Sequence, residues 1–214
     1  MIGKSKLRAL FLLTPVVMLA GCNIVAPIVL LGDTKKKVTA EFDKLPNSRV
    51  AVVVWTDPST LFDYPYARLE LATFVNDKLT AELTQRELGT DVVAPREVED
   101  FLQKTPSAQI DPVKVGRQFR TDYVVYVEVS EFQFRDPDSP QLLQGRIGAS
   151  VSVYDVRSER EKPNRFSLAP VECVFPEGSP VLMNASNSMY IREATYQQFA
   201  EQVARKFYEY TVEL

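Results

Sequence analysis

The residue with the most definite chemistry is Cys22, which closes the run Leu19-Ala20-Gly21-Cys22 at the end of an apolar stretch. A cysteine behind small residues at that position matches the bacterial lipobox. Its sulfur takes a diacylglycerol thioether, the leader is cut in front of it, and the new amino terminus is then acylated. Residues 1–21 have the make-up of such a leader: basic Lys4, Lys6 and Arg8, an apolar stretch from Ala9 to Leu19, then the small pair Ala20 and Gly21. Pro15 interrupts that stretch, which also falls short of the ~20 apolar residues of a spanning helix. Two or three acyl chains, at about 0.8 kcal/mol per buried methylene, hold a protein firmly on a bilayer. The expectation is a chain anchored by lipid on Cys22, with its folded part on the periplasmic side. Asn23, where an inner-membrane lipoprotein of enterobacteria carries Asp, points to the outer membrane.

Other reactive groups are few. The 214 residues include no histidine, which removes Ser-His-Asp and Cys-His nucleophilic sites, imidazole proton shuttles and most zinc sites. There is no phosphate-cradling GxxxxGK or GxGxxG. Of the 2 cysteines, Cys22 is consumed by lipid and Cys173 is left without an internal partner; the segment Val171 to Phe175 reads as a buried strand with Cys173 as a small apolar side chain. Carboxylates remain. Glu97, Glu99 and Asp100 follow Pro95 and offer an acid/base pair for a hydrolase, although acidic residues in a first helical turn also answer to the helix dipole. Asp136 and Asp138 offer calcium ligands, or simply turn chemistry beside proline. No cofactor or metal is expected beyond the lipid.

The loop from Trp55 to Tyr66 is dense in rings. Trp55, Phe62, Tyr64 and Tyr66 follow the first strand, and ligands of open α/β sheets bind beyond the carboxyl ends of strands. Trp and Tyr also dominate interface hot spots. These four residues are the candidate partner site, against the plainer reading that they close the end of the core.

The elements that position these groups follow from periodicity. Arg49 to Trp55 is a β-branched apolar run suited to a strand buried on both faces. The segment Pro58 to Pro65 reads as a loop. From Ala67, the positions Leu71, Val75, Leu79 and Leu83 share one helical face, ended by Gly89. A short strand at Asp91–Val93 precedes a helix begun by Pro95 and another begun by Pro112. Residues 122–134 and the stretch around Ile147–Val153 alternate with period two and form an antiparallel pair. A further strand lies near Phe166 or Val171, and an amphipathic helix over about 190–210 closes the chain. This order predicts one α/β sandwich domain over 48–214, with a mixed, partly antiparallel sheet flanked by helices. Residues 22–47 read as a tether, in which Ile24 to Leu31 either lies in the membrane interface, with Lys35, Lys36 and Lys37 near anionic headgroups, or folds back over the domain.

Charge sets a further limit. The 25 basic and 28 acidic residues give −3; without the leader, 22 face 28, or −6, over 193 residues. An acidic chain is a poor general nucleic-acid binder.

The pattern Arg49 to Val54, Leu79 and Leu83, Val92-Val93, Gly116-Arg117-Gln118-Phe119-Arg120-Thr121-Asp122-Tyr123-Val124-Val125, and Val151-Ser152-Val153-Tyr154-Asp155-Val156 resembles the domain shared by the curli-secretion lipoprotein, the LpoB-type activators of peptidoglycan synthases and the amino-terminal domain of TolB. The resemblance covers roughly residues 48–210 and departs at Tyr126-Val127-Glu128, where the group often carries a glycine. It implies a noncatalytic envelope protein that docks or activates a protein partner, in some cases as a homo-oligomer. A curli-type secretion channel is the alternative, which needs additional membrane hairpins with strands of about 9–11 residues. A carboxylate-based hydrolase is the third.

Overall fold

The computed structural model describes residues 35–106, 110–157 and 164–213. Leu19, Ala20, Gly21 and Cys22 lie outside them, as does the 24–31 segment.

The body of the protein, Thr39–Glu209, is an α/β layered domain built on a mixed sheet, as the order of periodic segments predicts. Strand β2, Arg49–Trp55, is buried from Val50 to Val54. It pairs in parallel with the short β3, Asp91–Val92, and with β4, Tyr123–Arg135. Strand β5, Leu142–Asp155, returns antiparallel to β4, with irregularities in register after Val129 and Gln133. Three short strands then share the outer edge of β5: β6 (Asn164–Ser167), β7 (Val171–Phe175) and β8 (Val181–Leu182). Both segments between which the sequence left a choice, around Phe166 and around Val171, are therefore strands. The two longest strands, β4 and β5, both belong to this sheet.

Five helices among the described residues flank it. A first, short one, α1 (Pro58–Asp63), occupies the segment expected as a loop. The local reason is Asp57, whose side chain accepts from the Ser59 amide at 2.8 Å, with Pro58 in the first turn where a missing N–H costs nothing. Helix α2, Ala67–Gln85, buries Leu71, Val75, Leu79 and Leu83 as their spacing requires. Helices α3 (Pro95–Leu102) and α4 (Pro112–Phe119) also begin on proline, and Asp111 caps α4 through the Val113 amide. They cover one face of the sheet, where Val98, Leu102 and Val115 meet Ala51, Val53 and Val124. The contact is close at Gly116: a Cβ there would lie 2.4 Å from Val156 Cγ2.

Helix α5, Ala185–Ala204, is capped by Asn184 on the Asn187 amide. It ends earlier than its periodicity suggests, because Arg205–Phe207 tighten into a 3-10 turn and the chain then re-enters strand conformation. Its deepest contact is at Gly145 of β5, where a Cβ would stand 1.9 Å from Thr195 Oγ1. Residues 39–47, grouped with the tether by their sequence, contribute Phe42 and Leu45 to the core. Phe42 meets the ring of Tyr123 edge-on, with centroids 5.3 Å apart.

A separate unit contains a two-stranded antiparallel ribbon, β1 (Lys35–Val38) with β9 (Tyr210–Glu213). Lys35 and Lys37 stand opposite Glu213 and Thr211, and Lys36 and Val38 opposite Val212 and Tyr210. The lysine triplet is thus a strand, which its sequence alone did not suggest.

Candidate functional site

The ring-rich segment after β2 is resolved by α1 into two groups. Trp55 is half-buried at the end of β2, and Tyr64 folds inward just past α1. Phe62 and Tyr66 point outward, 87% and 71% exposed. The cap that sets this arrangement is firm, since hydrogen bonds from the Ser59 hydroxyl and amide hold the Asp57 carboxyl below its usual range. Core closure thus accounts for Tyr64 and for part of Trp55, but not for Phe62 or Tyr66.

Tyr64 joins a cluster built where β4 runs beyond its pairing with β2. Its ring lies 5.1 Å from Phe132 and 5.7 Å from Phe134, and both of these approach Tyr196 of α5, at 6.2 and 5.6 Å. Most of these contacts are edge-to-face, the arrangement ring quadrupoles favour. The Tyr196 hydroxyl donates to Glu70 Oε2 at 2.7 Å, and burial together with that carboxylate pushes the phenol well up from its ordinary value. Arg192, one turn before Tyr196, lays its guanidinium over Tyr64 and Phe134, 5.6 and 5.5 Å from the centroids.

Above this cluster opens a cleft of about 460 Å³, lined among others by Tyr64, Phe134, Leu143, Met183, Met189 and Ile191, with Arg135 and Arg192. Two apolar residues of its lining are exposed, Met183 to 45% and Met189 to 70%. The next residue, Tyr190, is 61% accessible and borders a second recess with Phe175, Pro176 and Ala194. Large apolar side chains gathered in this way on a protein surface commonly mark an interaction site, and methionine adapts its shape to a partner.

Sequence reasoning found Tyr64 but missed Arg135, Met183, Met189 and Arg192. A signal was present at Met189, which stands two turns before Tyr196 on the same helical face. Periodicity assigns it to the core, yet it stands 70% exposed.

Three of the candidate carboxylates, Glu99, Asp100 and Asp136, have structural partners. Glu99 takes Arg68 in a two-point ion pair, 2.7 Å on each oxygen, with both side chains about nine-tenths buried; it ties α3 to the start of α2. Glu97 is exposed, and Asp100 pairs with Arg96 at 3.3 Å. Asp136 accepts from the amides of Asp138 and Ser139, at 3.0 and 2.9 Å, which is turn chemistry. Among the described residues, no three His, Cys, Asp or Glu side chains gather to hold a metal. Cys173 is buried in β7, its thiol 3.5 Å from the Thr195 carbonyl, and burial pushes it up to about 12. No helix among the described residues is long and apolar enough to cross a membrane.

No sequence-family profile matches the chain, and no curated protein matches it in sequence. Solved structures match its fold at low identity. One is a PelC dodecamer from Paraburkholderia phytofirmans, at 12% identity and TM-score 0.44, covering 81% of this chain and 98% of that one. Another is the lipoprotein GNA1162 from Neisseria meningitidis, at 18% identity and TM-score 0.34, covering 72% and 99%. A third is the hypothetical protein CT253 from Chlamydia trachomatis, at 14% identity and TM-score 0.38, covering 74% and 96%. At that level of superposition none of them bears on what this chain does, or on its resemblance to the curli-secretion group.

Proposed function

We propose that this chain is a noncatalytic bacterial lipoprotein, anchored through acyl chains on Cys22 at the periplasmic face of the outer membrane, whose α/β domain docks or activates an envelope protein. The anchor rests on Leu19-Ala20-Gly21-Cys22. The docking role rests on one structural observation: Met183 and Met189, both exposed, line the cleft between β8 and the start of α5. Exposed apolar area of this kind lowers solubility unless a partner covers it, and burying it on association returns about 25 cal/mol per Å².

Two measurements test the two halves. Mass spectrometry of the membrane-extracted protein is expected to find an amino terminus at Cys22 bearing acyl chains; an unmodified Cys22 means the anchor is wrong. A photo-crosslinking side chain at Met189 or Phe62 is expected to capture one discrete envelope protein, and the same group at Arg96 on α3 is not. Equal capture from both places removes the cleft as the docking surface.

A further inference from the structure

The charge around the cleft narrows the chemistry of its occupant. The chain is acidic overall, yet among the described residues lining the cleft there are two arginines, Arg135 and Arg192, and no carboxylate. Carboxylates near them are engaged elsewhere. Glu70 reaches Arg192 only at 3.9 Å, and its other oxygen accepts from Tyr196. Asp136, beside Arg135, is turned to the amides of Asp138 and Ser139. A guanidinium binds planar acceptors in pairs of parallel hydrogen bonds. Next to these donors lie Leu143, Met183, Met189 and Ile191, which accept only apolar groups.

Resting on the docking reading above, we infer that the cleft takes a short segment of a partner polypeptide in which an apolar side chain is flanked by a carboxylate. The apolar group settles among Leu143, Met183 and Met189, and the carboxylate meets Arg135 and Arg192. A polypeptide fits better than a small molecule. Small-molecule pockets enclose most of their ligand, whereas this surface is open at Met189, which is 70% exposed.

The test uses the full-length chain in detergent, immobilised, with a displayed library of random nine-residue peptides as the probe. Enrichment of Asp or Glu beside Leu, Ile, Met or Phe is expected. The best peptide should lose about ten-fold in affinity when its acidic residues become Asn or Gln, the scale of one charge-assisted contact. Arg135→Glu should cause a comparable loss, and Arg135→Lys a smaller one, because the charge remains while the paired hydrogen bonds are lost. Arg135 is exposed, so the fold is not at stake. Enrichment without acidic residues, no enrichment, or binding confined to phosphatidylglycerol vesicles overturns the inference. If these peptides fail while the Met189 crosslinker still captures a discrete partner, the docking reading stands and only the chemistry assigned to the partner falls.

Discussion

The two ends of α5 differ sharply in burial. From Ile191 to Ala204 the helix buries Ile191, Thr195, Tyr196, Phe199, Ala200, Val203 and Ala204, and Lys78 of α2 bridges to Glu201 at 2.5 Å. From Ala185 to Tyr190 the same helix is almost wholly exposed. One end fixes the element, and the other displays Met189 and Tyr190 without contributing to the core. A surface held by a rigid element loses little conformational entropy on binding, so the display end gains precision from the anchored end.

The largest effect expected from breaking this division is at the anchored end. Phe199→Ala removes a fully buried ring and should cost about 3–5 kcal/mol in urea unfolding. Gly145→Ala should cost about 1–3 kcal/mol, because the new Cβ lands 1.9 Å from Thr195 Oγ1 and α5 must shift; binding at the cleft should weaken with it, since the display end moves too. The Cys173 thiol, under the same helix, adds a pH dependence. Its folded pKa of about 12 lies above the ordinary 9.0, so the unfolded state releases the proton first. The stability that this group contributes is intact below pH 9 and lost as pH rises toward 12. In a Cys22→Ala background, the urea midpoint should fall more steeply over that range than it does with Cys173→Ala added. At the boundary of the exposed end, Asn184→Ala removes the cap and should cost about 1 kcal/mol. Smallest of all, Met189→Ser and Tyr190→Ser should stay within about 0.5 kcal/mol of the parent in stability, while photo-crosslinking at Phe62 shows partner capture reduced. A large loss of stability from either would mean that the display end is part of the core after all.

The same contrast explains what the amino-acid order revealed. Elements whose pattern reflects burial were legible: β2 from its β-branched run, α2 from Leu71, Val75, Leu79 and Leu83, and the β4–β5 pair from alternation. α1 escaped notice although Asp57-Pro58 is a helix start signal, because a six-residue helix with no buried side chain carries no periodicity. β1 and β9 were missed for a related reason. Three lysines and a Tyr-Thr-Val-Glu run become strands only by pairing with each other, across almost the whole chain. Of the candidate site, Tyr64 was found and its arginine and methionine neighbours were not. They converge from β4, β8 and α5, and no local signal records that β4 outruns β2 or that α5 outruns the body it packs on.

One consequence follows from β5. It forms ladders with β4, β6, β7 and β8 along its fourteen residues, so four partners depend on a single backbone. No half of this sheet is self-sufficient. Chain severed within β5, or a proline placed at Ala149, deprives every rider of its rail at once, and the domain should melt in one cooperative step, with no stable fragment left behind to be salvaged.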